Sequence, residues 1–163
     1  MRIYFAGPLF TQAERAWNRR IADRLTAEGH EVFLPQTEVS SIASLDAQTI
    51  FELDVDGVRS ADVVVAVLDG ADPDSGTSFE CGVAFALGIP IVVVRSDFRA
   101  GGDSLPGQKL GTINLMLSQA AEAVVNLPDP ATTEDAVAST LIACLRELKP
   151  DGRPVGRRTS PQS

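Results

Sequence analysis

Six consecutive apolar residues, Val63-Val64-Val65-Ala66-Val67-Leu68, follow Asp62 with no polar residue among them. A run this short reads as a strand, and a strand apolar on both faces has to be covered on both. A sheet with one wet face would alternate apolar and polar residues. The run therefore asks for a sheet buried between helices.

The rest of the chain supplies helices and further strands in alternation. Ile3 to Ala6 reads as a buried first strand. Thr11 to Glu28 follows as an amphipathic helix, with Trp17, Ile21 and Leu25 on one stripe and Gly29 at its end. Val32 to Leu34 is a short second strand stopped by Pro35, and Glu38 to Ser44 a polar loop. A second helix spans roughly Leu45 to Ser60, ahead of the central strand. Asp69 to Ser75 is rich in turn residues, and Gly76 to Leu87 is a third helix closed by Gly88. Ile89 to Val94 is a fourth strand, with Pro90 near its start, where proline is tolerated. Ser96 to Gly111 reads as a long loop, a kind of segment that often carries function. Ile113 to Gln119 makes a short helix, Ala123 to Asn126 a fifth strand and Thr132 to Leu148 a last helix.

This order predicts an α/β protein, an open parallel five-stranded sheet of flavodoxin- or Rossmann-like type with helices on both faces. The 163 residues fit one domain, 1–150, followed by a polar tail, 151–163, expected to be flexible. Sheets of this kind bind ligands at the carboxyl ends of their strands. Those ends are Ala6-Gly7-Pro8, Leu34-Pro35-Gln36, Leu68 through Ser75, and Arg95 onward.

The net charge of -8 repels phosphate backbones and anionic lipid, so neither nucleic acid nor membrane is an expected partner. A single histidine, His30, and two cysteines outside any metal-type spacing give no reason to expect a metal or another cofactor. Cys81 reads as a small buried hydrophobe. The start of the chain lacks the apolar core of a signal peptide, and no run is long enough to span a membrane. A cytoplasmic location is the expectation.

Against this background the informative residues are acids on apolar helix faces. Asp54 lies on a stripe with Ile50, Leu53 and Gly57; Glu80 lies on one with Val83, Ala84 and Leu87. A carboxylate taken out of water is costly unless paired or used, and two on helices flanking the central strand suggest a site. Ordinary readings stand beside this one: Glu80 at the rim of its helix, Asp54 capping a loop or paired with Arg59 or Arg2. Asp74, just before Ser75-Gly76-Thr77, reads first as an N-cap and only second as an acid at a strand's carboxyl end. Gly76 lets a ligand approach the backbone at a helix start. Tyr4 either packs in the core or holds a carboxylate through its hydroxyl.

Four blocks together resemble the nucleoside 2-deoxyribosyltransferase family. They are Ile3-Tyr4-Phe5-Ala6-Gly7-Pro8-Leu9-Phe10, Asp54-Val55-Asp56-Gly57, Asp74-Ser75-Gly76-Thr77-Ser78-Phe79-Glu80-Cys81-Gly82-Val83-Ala84, and Ile113-Asn114-Leu115-Met116. The resemblance runs from Arg2 to about Leu117. It implies that Glu80 is the nucleophile, Asp74 the acid/base, Asp54 a base-binding acid and Tyr4 the residue that orients Glu80. It also implies substrate contacts from Gly7, Gln36 and Gly76, with Asn114 and Met116 donated to a neighbouring subunit's site. The implied partners are 2'-deoxyribonucleosides, free nucleobases and further copies of the chain, a dimer at least and a hexamer as a larger form. The family's C-terminal segment often brings an aromatic residue to the base; Gly152 to Ser163 has none.

Two other functions fit parts of this pattern. A 2'-deoxynucleoside 5'-monophosphate N-glycosidase would use the same scaffold but would want serine and arginine after the first strand. The loop Gly7-Pro8-Leu9-Phe10 is uncharged, with Arg15 and Arg19 further into the helix. A non-catalytic nucleotide-sensing module would explain the fold, but not three acids converging with Tyr4.

Overall fold

A computed structural model describes residues 1–38, 46–99 and 101–148. Five parallel strands form the sheet: β1 (Arg2–Ala6), β2 (Glu31–Phe33), β3 (Val63–Val67), β4 (Ile91–Arg95) and β7 (Ala123–Asn126), in the order β2-β1-β3-β4-β7. This is the flavodoxin-like order, whose direction of winding reverses between β1 and β3. The apolar run is central, with all five β3 residues buried.

Alternation along each strand divides the core in two. Ile3 and Phe5, with Val63, Val65 and Val67, face α1 (Gln12–Ala27) and α6 (Glu134–Glu147). Tyr4 and Ala6, with Val64, Ala66 and Leu68, face the layer of α3 (Ala47–Arg59), α4 (Ser75–Leu87) and α5 (Leu115–Ala120). Sequence-encoded caps start the helices. Thr11 and Glu14 form a capping box on α1, and Asp46, Asp74 and Thr133 cap α3, α4 and α6.

Two segments differ from the sequence reading. Pro35 ends the second strand as expected, but it also opens a short helix, α2 (Pro35–Glu38). Proline suits a first helical turn, where its missing N–H has no partner to lose. The long loop after β4 contains a small antiparallel hairpin, β5 (Ser104–Leu105) with β6 (Gln108–Lys109), turned by Pro106 and Gly107. Most of the loop assigned to Glu38–Ser44, the helix start at Leu45 and the tail 151–163 lie outside the described residues.

One glycine sets how closely α3 lies on the sheet. A Cβ on Gly57 would stand 2.9 Å from Tyr4 Cε2 and 3.0 Å from Phe33 Cε1 and Cζ. Those rings stack at 5.3 Å between centroids. Gly57→Ala is expected to destabilise the protein, because overpacking costs about 1–3 kcal/mol and outweighs the ~1 kcal/mol that alanine gives a helix interior. A urea midpoint equal to or above wild type would show that the helix yields at this point.

Candidate active site

Glu80 emerges at the margin of the buried face of α4. Thr77, Cys81 and Ala84 make that face, whereas Leu87, read from the sequence as part of the inward stripe, is 51% exposed. Glu80 itself is half-buried. The Tyr4 hydroxyl, rising from the middle of β1, donates to Glu80 Oε1 at 2.6 Å. β1 and β3 flank the reversal point of the sheet, so this contact sits beside the position where such folds bind ligands.

Desolvation dominates the electrostatics. Burial pushes the Glu80 carboxyl up to about 7, with the nearby charges of Asp54 and Asp74 adding to the rise and the Tyr4 hydrogen bond opposing it. Burial, then Glu80 itself, holds the Tyr4 hydroxyl far above its ordinary range, so it remains a donor. Asp54 on α3 is also raised by desolvation. Neither ordinary partner for Asp54 is engaged with it: Arg59 pairs with Asp56, and Arg2 with Glu31. Asp54 Oδ1 is buried without a hydrogen-bond partner. A ligand donor would complete it.

Asp74 serves as the N-cap of α4. Its Oδ2 accepts from Thr77 N at 2.8 Å and from Thr77 Oγ1 at 3.0 Å. Gly76 follows it with open space at the position of a side chain, apart from Asp74 Oδ2 at 3.2 Å. Asp54, Gly76 and Glu80 line one cavity of about 150 Å³, walled by Phe51 and Phe79. The two rings are half exposed, tilted against each other, with centroids 5.9 Å apart. Nothing in the helix periodicity singled them out as a pair.

Four of the expected substrate contacts lie elsewhere in the isolated chain. Gln36 is buried, and its amide is engaged: Nε2 donates to the Arg15 carbonyl at 2.8 Å, and Oε1 accepts from Asn18 Nδ2 at 3.4 Å. Asn18 also holds the Pro8 carbonyl at 2.9 Å, so this amide pair braces the loop after β1. Gly7 lies close to Val67, where a Cβ would come within 3.3 Å of that side chain. Asn114 caps α5 by accepting from Met116 N at 3.0 Å, and the Met116 side chain is 72% exposed. Met116 borders a separate apolar groove with Cys81, Gly82 and Phe85 of α4.

Sequence reasoning also passed over a polar knot around Arg95, which is 2% exposed at the end of β4. The available signal was a charged residue in phase with the buried positions Ile91 and Val93. Among the described residues no three metal-ligating side chains converge, and no helix is long and apolar enough to cross a membrane.

An open parallel α/β domain with carboxylates gathered at its switch point is the class that this geometry defines. The chain belongs to the nucleoside 2-deoxyribosyltransferase family, whose model matches residues 3–127. Among solved structures, a conserved protein from Enterococcus faecalis is 28% identical, with a TM-score of 0.67 over 88% of this chain and 98% of that one. A 2-deoxyribosyltransferase from Bacillus psychrosaccharolyticus is 21% identical, with a TM-score of 0.65 over 89% and 96%. A CMP N-glycosidase from Clostridium botulinum is 18% identical, with a TM-score of 0.59 over 88% and 99%. Among curated proteins nothing matches the chain.

Proposed function

We propose that the protein is a nucleoside 2-deoxyribosyltransferase that exchanges the base of 2'-deoxyribonucleosides through a deoxyribosyl–Glu80 intermediate. The observation that carries this is the 2.6 Å hydrogen bond from Tyr4 to a desolvated Glu80 beside two further acids. Family membership supports the reaction class.

Breaking an N-glycosidic bond builds positive charge on the sugar, and a carboxylate held out of water stabilises that charge strongly. In the first step a Glu80 oxygen bonds to the anomeric carbon. The carbon–nitrogen bond breaks, its electron pair goes to the base, and a proton from Asp74 follows it. In the second step the incoming base attacks the same carbon, Glu80 leaves as carboxylate, and the base proton returns to Asp74. Two inversions give retention. Tyr4 fixes which Glu80 oxygen is free to attack. Asp54, with an unfilled acceptor in the same cavity, would take a donor from the base.

The first test is base exchange. Deoxyinosine with adenine, then thymidine with adenine, should each yield deoxyadenosine. Free base without new nucleoside would indicate a hydrolase, and cleavage only of 5'-monophosphates would point to an N-glycosidase of nucleotides. No product from any donor would leave a sensing module.

The pH dependence carries the sign of the local electrostatics. The acid limb of kcat/KM, which reports free-enzyme ionisations, is expected near pH 7, where Glu80 becomes charged. Asp54→Asn removes a repelling charge and should move the limb down. Tyr4→Phe removes a stabilising donor and should move it up. A limb unmoved by both would show that it belongs to another group.

Transfer in place of hydrolysis requires that water be kept from the intermediate. Asn114 and an exposed Met116 are proposed to do this in a neighbouring copy, with an assembly of at least two chains. The exposed rings Phe51, Phe79 and Phe85 on the same helical layer support a covered face. Specific activity should therefore fall on dilution in step with the loss of oligomer by sedimentation. Full activity in a demonstrated monomer would refute it.

A further inference from the structure

The loops beyond β3 and β4 enclose a positive charge that the chemistry above does not use. Arg95 Nη1 donates to the Leu68 carbonyl at 3.0 Å, and Nη2 to the Arg99 carbonyl at 2.9 Å. Nη2 also lies 2.9 Å from Asp97 Oδ1, an ion pair rather than an aligned hydrogen bond. Burying a guanidinium is costly unless its donors are matched, and its rigid fork suits it to bridging separate segments.

The segments that it bridges also hold each other. Asp69, two residues beyond β3, accepts from Ser96 N and Ser96 Oγ, both at 2.6 Å, and from Asp97 N at 3.2 Å. In return Asp97 accepts from Gly70 N at 2.9 Å. A third segment packs against these two without room for a side chain. A Cβ on Gly101 would stand 3.0 Å from the Ala71 carbonyl, 3.1 Å from the Thr112 carbonyl and 3.4 Å from Arg95 Nη2. One on Gly102 would stand 2.6 Å from the Gly111 carbonyl and 2.9 Å from Ile113 N. Ile113 is buried and leads directly into Asn114, and Asp103 accepts from Leu115 N.

Arg95 thus lies where three loops meet, one ending in Asp74 and one in Asn114 and Met116, yet it does not line the cavity beside Glu80. We propose that Arg95 is a positioning residue: its buried guanidinium locks the loop that carries Asp74 to the loop that leads to Asn114 and Met116. The acid that serves the base in one site and the residues that shield the sugar in the neighbouring copy's site then move as one body. The functional half of this inference rests on the transferase reading; the mechanical half does not.

Arg95→Met keeps the aliphatic stem and removes the fork. The telling measurement is the ratio of hydrolysis to transfer, which is independent of how much protein is folded. That ratio is expected to rise roughly tenfold, as loosened shielding residues admit water. The exchange rate should fall on the order of 100-fold, the scale of a ~1 Å misplacement, with KM for the donor changing much less. Hydrogen exchange should quicken together in segments 69–74 and 111–115, while α1 and α6 stay protected. Arg95→Lys, which keeps the charge but reaches only one carbonyl, should be intermediate in both readouts, and it serves if Arg95→Met does not fold. An unchanged ratio in a folded Arg95→Met, or quickening confined to one loop, overturns the proposal. If the wild-type protein performs no exchange at all, the transferase reading falls, and the hydrogen-exchange result alone decides whether Arg95 couples the loops.

Discussion

Glu80→Gln is expected to abolish base exchange and, at the same time, to stabilise the fold above neutral pH. The first effect should be roughly 10⁴-fold or more, because a neutral amide can neither bond to the anomeric carbon nor balance its charge. The second follows from linkage. The Glu80 carboxyl titrates at about 7 when folded, against 4.5 for the ordinary group, so between these values the folded chain holds a proton that the unfolded chain has lost. Stability therefore declines as pH rises from about 4.5 to 7 and stays lowered above that. Glutamine does not ionise, and it can still accept from the Tyr4 hydroxyl. The variant should gain on the order of 2 kcal/mol at about pH 8 and nothing at about pH 4. Urea unfolding at the two pH values, run beside the exchange assay, measures both. Retained exchange would remove Glu80 from the chemistry. Equal stability at high pH would show a carboxylate far better solvated than its contact with Tyr4 and its cavity imply.

The parts of this protein that were legible in its sequence are those with an unambiguous period. The run from Val63 to Leu68 has only one environment open to it, and it lies at the centre of the sheet. Alternation sends Ile3 and Phe5 to one core and Tyr4 to the other, where Glu80 waits. Helix α4 was harder because it is apolar on nearly every side. Phe79, Phe85 and Leu87 are all exposed, so periodicity could not tell Leu87 from Ala84. The knot around Arg95 was legible only in Arg95 itself, a charge in phase with Ile91 and Val93; its partners were not. Asp69 and Ser96 meet only because β3 pairs with β4 in the register Val67 to Val94, a fact that no local pattern encodes. The hairpin in the long loop did have a signal, since Pro106-Gly107 is a type II turn pair and Gly107 has φ 78. Composition rich in glycine masks such a pair within an apparent loop.

Asp74 joins a structural role to a proposed chemical one, and a single substitution separates them. Its carboxylate caps α4, the helix that carries Glu80. Asparagine caps helices about as well, so Asp74→Asn should leave stability within a few tenths of a kcal/mol, whereas Asp74→Ala should cost about 1 kcal/mol. Asparagine cannot pass a proton. Exchange in Asp74→Asn should therefore fall by roughly 10²–10⁴-fold, the usual worth of general acid–base catalysis. The choice of donor sharpens the comparison. A purine already methylated at N7 carries a positive charge and departs without protonation, so Asp74→Asn should release it at close to the wild-type rate. Near-normal exchange with ordinary donors would reduce Asp74 to a cap. An equal loss with neutral and cationic bases would mean that Asp74 acts through the placement of α4, and hence of Glu80, rather than through a proton.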